Sequence, residues 1–288
     1  MVEMNKTGIL DRPDIIELLF DSSPVSAHTG AQTACPEAVQ DSVLDFYSHD
    51  STRLCAHIFP GRPEEPHILF FPAEYDDRQS LTGLAIGLRQ YGFTLIYVDY
   101  RGCGNSSGKP AVSSLAEDSE AFFQAVKNWC SSENRSGPLL VMGRSIGTAA
   151  ALDLAARHCE KTLALILESA FDRTDDFLAG KGLPQGFSSE DDPFDNRSKM
   201  EQYTKPVLFL HSHADQVVNL NQIEWLVAES RSKATQLQIV PSSSREDLQE
   251  IGGELYHKII RDFINLRLGR RPPRKKSRRL QGTASTES

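Results

Sequence analysis

The residues with the clearest chemical potential lie in the run LLVMGRSIGTAAA at residues 139–151. Gly143, Ser145 and Gly147 form the pattern G-x-S-x-G, with an apolar β-rich run before it and a helix-forming run after it. In that setting the serine sits on a sharp strand-to-helix turn, and the helix N-terminus can stabilise a developing oxyanion. The alternative is a chance G-x-S-x-G in a glycine-containing turn. The context favours Ser145 as a nucleophile.

An acid is expected at the end of a later strand, because the chain order in this arrangement is serine, acid, histidine. Asp215 meets this expectation, since it follows the apolar run VLFLH (207–211) and precedes a helix that begins near Asn219. Its role would be to orient an imidazole and stabilise its charge. A loop-capping role is the alternative for Asp215, and Glu168, at the end of the preceding strand, is a weaker candidate for the acid.

The histidine base is missing where it should follow the last strand, LQIV (237–240), because no histidine occurs from 241 to 256. The expected position holds Arg245, whose guanidinium stays protonated and cannot accept a proton. We expect Arg245 to pair with Asp215 instead. His213, two residues before Asp215, is the candidate substitute base, whereas His257 falls inside the last predicted helix.

The elements that must position these residues alternate between strands and helices after an initial hairpin that turns near 49–51. The apolar β-rich runs are 67–71, 94–100, 139–143, 163–168, 207–211 and 237–240, and the helical runs are 79–90, 115–131, 146–158, 219–231 and 250–266. Nearly continuous apolar strands separated by amphipathic helices predict an α/β fold with a mostly parallel sheet covered on both faces. The polar stretch 171–205 is long enough to form a short lid insertion.

The composition of the chain is that of an ordinary globular protein. Hydrophobic residues make up 39% and charged residues 24% of the 288 residues, as in ordinary globular domains. No apolar run is long enough to span a bilayer, and the first 20 residues lack the apolar core of a signal peptide, so we expect a cytoplasmic location. The five cysteines form no C-x-x-C pair, and the pattern implies neither a metal nor an organic cofactor.

The chain is expected to have three parts: an N-terminal helix and loop extension (1–37), one α/β domain (38–268) and a basic tail (269–288). The net charge is −8, yet the stretch 270–279 is strongly basic and interrupted by two prolines. Such a segment cannot bury enough apolar surface to fold. A solubilising tail is the simpler interpretation. Contact with an anionic surface is the other, although no nucleic-acid-binding motif accompanies the charge.

Several segments together resemble bacterial α/β hydrolases related to the Bem46-like serine hydrolases. They are LDRPDIIELLF, FPAEYDD, IYVDYRGCGNSSGKP, VMGRSIGTAAAL, LILESAF, LFLHSHADQVV and REDLQEIGGELYHKIIRDFI. The resemblance implies the α/β-hydrolase fold, with an eight-stranded, mostly parallel sheet, and acyl hydrolysis through a serine acyl-enzyme. It also implies that Ser145 is the nucleophile and Asp215 the triad acid, and that the Ile146 amide and an amide near Glu74 form the oxyanion hole.

Two departures from that family lie in the loops around the site. Pro72-Ala73-Glu74 stands where relatives read His-Gly-Asn, and Ser244-Arg245-Glu246-Asp247 stands where they carry a Gly-His-Asn-Asp-like turn. Two hypotheses follow. The first is a hydrolase of a small-molecule acyl ester, thioester or amide, with an incomplete triad. The second is a catalytically silent relative that binds a ligand or partner, in which Arg245 and Arg144 would clamp a carboxylate or phosphate.

Overall fold

The computed structural model describes residues 6–20, 41–188, 190–241 and 243–270. Its strands are β1 (Ser42–Tyr47), β2 (Arg53–Phe59), β3 (His67–Phe71), β4 (Thr94–Asp99), β5 (Leu139–Arg144), β6 (Leu165–Glu168), β7 (Val207–Ser212) and β8 (Thr235–Val240). Its α-helices are α1 (Pro13–Phe20), α2 (Arg78–Arg89), α3 (Leu115–Ser132), α4 (Gly147–Arg157), α5 (Thr174–Gly180), α6 (Asn196–Gln202), α7 (Leu220–Glu229) and α8 (Leu248–Arg267). The basic residues from 271 onward, and residues 21–37 of the predicted extension, lie outside the described residues.

The eight strands form one sheet in the order β1-β2-β4-β3-β5-β6-β7-β8. β1 and β2 pair antiparallel, and β2 pairs antiparallel with β4, whereas all remaining pairs are parallel. The sheet is therefore mostly parallel with an antiparallel edge supplied by the hairpin. This arrangement confirms the predicted α/β-hydrolase fold.

Both faces of the sheet are covered by apolar side chains of helices. One buried cluster joins the strands to α3, α4, α6 and α7, and a second joins them to α2 and α8. Central strands such as β3 are buried at every position, since the helices leave neither face in contact with water. Because both faces are covered, a site can form only at the ends of the strands. In open α/β sheets it forms in the loops at the carboxyl ends of the parallel strands.

The insertion after β6 contains two short helices, α5 and α6, rather than a structureless loop. Asp192 organises it: its carboxylate accepts hydrogen bonds from the backbone amides of Thr174 and Phe194 at 2.9 and 3.1 Å. A third apolar cluster unites residues of α1, α5 and the start of α4, including Leu19, Phe177 and Ile146. The N-terminal helix and the insertion thus pack together beside the strand-to-helix turn that carries Ser145.

Within the described part of the chain, no helix is both long and apolar enough to cross a membrane.

Candidate active site

The turn at Ser145 is forced by backbone geometry. Ser145 has φ of 53°, in the left-handed region that non-glycine residues seldom adopt. A Cβ on Gly143 would lie 2.4 Å from the Gly147 carbonyl oxygen, and one on Gly147 would lie 2.1 Å from the Phe71 carbonyl oxygen. Both positions therefore admit only glycine, because the strand, the helix and the neighbouring loop approach too closely for any side chain. The predicted strand-turn-helix context of Ser145 is present.

Two charged side chains hold the hydroxyl of Ser145. Ser145 Oγ donates a hydrogen bond to Glu74 Oε2 at 2.5 Å and accepts one from Arg245 Nη2 at 2.5 Å. Ser145 is 0% exposed. The hydroxyl is thus bonded to a carboxylate that can take its proton and to a cation that can stabilise the resulting alkoxide.

Arg245 also forms the expected ion pair with Asp215. Arg245 Nη1 donates to Asp215 Oδ2 at 2.9 Å, and the other carboxylate oxygen accepts from the amides of Val217 and Val218, both at 2.9 Å. Burial would lower the pKa of Arg245, but the nearby Tyr75, Asp215 and Glu74 raise it further, so its pKa lies above the ordinary value. Arg245 accordingly bridges the acid and the serine, as a triad histidine would, without being able to accept a proton.

The insertion reaches this cluster through α5 and the residue that follows it. Lys181 Nζ forms an ion pair with Glu74 Oε1, and the Arg245 guanidinium lies over the Phe177 ring, 5.6 Å from its centroid. Burial alone would raise the pKa of Glu74. The positive charges of Lys181 and Arg245 outweigh that effect, and the pKa of Glu74 lies below its ordinary value. Glu74 is therefore ionised at neutral pH.

Arg144 is not available to a ligand, contrary to the clamp hypothesis. Its guanidinium is buried and pairs with Asp76 at 2.5 Å and Glu168 at 3.0 Å. Glu168 in turn accepts a hydrogen bond from Tyr256 Oη at 2.6 Å. Arg144 and Glu168 thus belong to a buried network that fixes the base of the turn, which also explains why Glu168 does not serve Ser145.

Two backbone amides, those of Ile146 and of the loop after β3, are the candidate oxyanion donors. Ile146 directly precedes α4, so its amide belongs to the first-turn amides that have no acceptor within a helix. In the loop after β3, the Ala73 amide donates to Asp76 Oδ2 at 2.7 Å. That bond removes Ala73 as a donor to substrate and leaves the next amide, that of Glu74, as the second candidate.

Among the described residues, neither His213 nor His257 hydrogen-bonds to the Ser145 hydroxyl. His213 is exposed, and its backbone amide donates to the Val240 carbonyl at 3.1 Å, while the fully buried Ser145 hydroxyl is engaged by Glu74 and Arg245. His257 Nδ1 lies 3.0 Å from the Gly253 carbonyl within α8. The groups bonded to Ser145 Oγ in the structure are Glu74 and Arg245 rather than His213, whose role as a base stays a prediction. The sequence interpretation instead missed the side chain of Glu74 as the group bonded to Ser145.

Comparison with known proteins agrees with this fold. The sequence profile of the family described as serine aminopeptidase, S33, matches residues 75–182. The alpha/beta hydrolase domain-containing protein WAV2 of Arabidopsis thaliana is 27% identical over 75% of this chain and 76% of its own length. The lysophosphatidylserine lipase ABHD12 of Danio rerio is 29% identical over 54% of this chain and 46% of its own.

Among solved structures, the Pyrococcus furiosus esterase Pf2001 superposes with a TM-score of 0.66 at 14% identity, covering 82% of this chain and 96% of that one. At this identity the likeness concerns the fold. Fold and comparisons together define the class: the protein has the α/β-hydrolase fold and is similar in sequence to proteins named for that domain.

Proposed function

We propose that the protein is an ester hydrolase in which Ser145 attacks the acyl carbon, Glu74 accepts the serine proton, and Arg245 replaces the usual histidine. The observation that carries the proposal is the 2.5 Å hydrogen bond from Ser145 Oγ to Glu74 Oε2. A general base must lie within hydrogen-bond reach of the proton it removes, and Glu74 meets that requirement. The assignment to the Bem46-like subgroup remains a prediction within this proposal.

The chemical steps follow from the bonds of the cluster. As Ser145 Oγ attacks the ester carbonyl, its proton passes to Glu74, and the Arg245 guanidinium stabilises charge on Oγ. The oxyanion would accept hydrogen bonds from the Ile146 and Glu74 amides. Glu74 then protonates the leaving alkoxide to release the alcohol. In the second half, water attacks the acyl-enzyme, gives its proton to Glu74, and Ser145 regains a proton as the acid departs.

Access to the hydroxyl requires a movement of the insertion, since Ser145 is 0% exposed. Lys181, directly after α5, is paired with Glu74, and Phe177 of α5 lies against Arg245. A substrate that displaces α5 would break the Lys181–Glu74 pair, expose Oγ and make Glu74 more basic by removing a positive charge. The closed arrangement is the resting form of the site in this proposal.

The esterase interpretation draws further support from the comparisons. The Danio rerio relative is named a lysophosphatidylserine lipase and the Pyrococcus furiosus structure an esterase. An ester is also an easier substrate than an amide for this cluster, because an alkoxide leaving group needs less protonation than an amine. A small-molecule acyl ester is therefore the proposed substrate class.

A catalytically silent, anion-binding protein is the second candidate, and Arg245 favours it. A permanently protonated guanidinium stands between Asp215 and Ser145, where a base is needed. Glu74 already presents a carboxylate to Ser145 and Lys181. A ligand carboxylate or phosphate could replace that carboxylate on the same partners.

Hydrolysis of short-chain aryl esters by purified wild type, Ser145→Ala and Glu74→Gln separates the two candidates. The esterase proposal expects turnover that both substitutions reduce. Turnover that neither substitution changes, or no turnover by a correctly folded wild type, contradicts it. A silent protein would instead show anion binding by calorimetry that weakens in Arg245→Gln.

A further inference from the structure

Three potential metal ligands meet at the antiparallel edge of the sheet, away from Ser145. Cys55 and His57 lie on β2, and Asp99 ends β4 directly opposite Cys55 in the register. Alternate residues of a strand point to the same face, so Cys55 and His57 share one side of the sheet. A Cys55 sulfur, a His57 ring nitrogen and an Asp99 carboxylate oxygen all lie within 4.8 Å of one another.

Burial and hydrogen bonds hold these donors in place. Cys55 is 0% and His57 4% exposed. His57 Nε2 lies 3.0 Å from Asp99 Oδ2, and the same carboxylate oxygen accepts the Asn105 amide at 2.7 Å. The Asp99 carboxylate also packs against Gly104, where a Cβ would lie 2.4 Å from Cγ of Asp99. Fixed donors lose little conformational entropy when they bind an ion.

The Asp41 carboxylate, itself bonded to Arg78, lies beside the other nitrogen of the His57 ring. That nitrogen, Nδ1, lies 3.5 Å from Asp41 Oδ2, and Arg78 of α2 donates to the same oxygen at 2.6 Å. A carboxylate on the far nitrogen of a histidine is the usual partner of a metal-ligating imidazole, because it fixes the ring and raises its basicity.

We propose that Cys55, His57 and Asp99 bind one divalent transition-metal ion, with Zn²⁺ the best match, and that Asp41 orients the His57 ring through its contact with Nδ1. Thiolate, imidazole and carboxylate are all zinc ligands, and a thiolate disfavours Mg²⁺ and Ca²⁺. The thiolate and carboxylate charges neutralise the ion. Three protein ligands leave a fourth position for water, or for Asp45, which pairs with Cys55 in the register of β1 and β2.

This site is independent of the proposed hydrolysis, since β3 separates β4 from β5, the strand that ends in the Ser145 turn. The pattern was not visible as a metal motif in the sequence. Cys55-x-His57 is a short spacing, and the third ligand lies 42 residues beyond His57. Only the pairing of β2 with β4 brings the ligands together. The metal would bridge these two strands and stabilise the antiparallel edge.

The test is metal binding by the purified full chain, freed of any affinity tag and treated with a chelator. Zn²⁺ is titrated and bound metal measured by mass spectrometry, and Co²⁺ is used to detect a thiolate-to-metal charge-transfer absorption. We expect one equivalent of metal and a Co²⁺ charge-transfer band. Cys55→Ser should lose the band and His57→Gln should weaken Zn²⁺ binding, while Asp41→Asn should weaken it by roughly 10-fold or more.

Cys130→Ser is the matched control, because Cys130 is a half-buried free cysteine of α3 outside the cluster. It should bind metal like the wild type. Circular dichroism establishes that each variant is folded, and Asp41→Asn keeps all three ligands if Cys55→Ser is unstable. Zn²⁺ content that is unchanged in Cys55→Ser and His57→Gln, or a wild type that retains no metal from micromolar Zn²⁺, overturns the proposal.

Discussion

The strand-to-helix turn around Ser145 and the two loops that face it differ in how strictly the backbone constrains them. In the turn, Gly143 and Gly147 are held by contacts that leave no space for a Cβ. In the loops after β3 and β8, the groups that bond to Ser145 Oγ are the side chains of Glu74 and Arg245, and these contacts depend on residue type rather than on backbone sterics. Backbone sterics therefore fix the turn at Ser145, whereas the side chains of Glu74 and Arg245 decide which groups contact its hydroxyl.

The largest effect is expected from Ser145→Ala. If Ser145 is the nucleophile, its removal should lower kcat/KM for aryl esters by about 1,000-fold or more, since covalent catalysis is lost. Steady-state hydrolysis assays measure this. Ser119→Ala is a matched control, because Ser119 is equally buried on α3 and bonds to a backbone carbonyl. Equal kcat/KM in Ser145→Ala and Ser119→Ala would show that Ser145 is not the nucleophile.

Gly147→Ala tests the backbone half of the comparison. The added Cβ would lie 2.1 Å from the Phe71 carbonyl oxygen, so β3 or α4 must shift. We expect a loss of about 3 kcal/mol in the free energy of unfolding, within the range of overpacking in a closed site. Denaturant unfolding measures it. Gly83→Ala is the control, since its Cβ would meet only the Gln249 side chain at 3.4 Å, and a comparable loss there would refute the steric account.

Glu74→Gln tests the other part of the comparison, the role of the side chain bonded to Ser145. The amide keeps the shape and the loop but cannot accept the serine proton as a carboxylate does, so kcat should fall by about 100-fold, in the range of general-base catalysis. Glu65→Gln is the control, because Glu65 pairs with Arg62 and Arg270 away from the site. Should Glu74→Gln match the wild type in kcat, another group must take the proton.

Lys181→Met is expected to have the smallest effect of these substitutions, and it should increase the reactivity of Ser145 rather than decrease it. Loss of the ion pair to Glu74 weakens the closed form, so labelling of Ser145 should accelerate by roughly threefold to tenfold. Removal of the positive charge should also raise the pKa of Glu74 and move the acid limb of activity to higher pH. Rates of covalent labelling and pH profiles provide the two readouts, and slower labelling would contradict the role of Lys181.

Sequence patterns predicted the scaffold well for a physical reason. Apolar runs buried on both faces specify central parallel strands, and the G-x-S-x-G turn depends on local sterics. The pattern did not predict α5 and α6 in the polar insertion, since tertiary packing stabilises them. Helix α5 packs in the apolar cluster that includes α1, and α6 contributes Met200 to the cluster that includes α4 and α7. It also missed the kink in α8, where Gly253 adopts φ of 49°.

The chemistry of the site was less accessible to prediction. The Ser145–Glu74 bond joins residues 71 positions apart, and the Lys181 ion pair comes from an insertion whose helices the sequence did not specify. Such contacts depend on side-chain conformations rather than on periodicity. The Arg245–Asp215 pair was predictable because strand order places both residues at adjacent strand ends and their charges are opposite.

Covalent labelling of Ser145 by a fluorophosphonate, compared among wild type, Arg245→His and Ser145→Ala, tests the central claim most directly. Because a base works only when deprotonated and the pKa of Glu74 is lowered, the wild type should label at Ser145 at a rate that hardly changes between about pH 6 and pH 9. Arg245→His should label faster, with a rate that falls as the imidazole becomes protonated below about pH 6.5. Labelling confined to Arg245→His would contradict the account and leave an anion-binding protein.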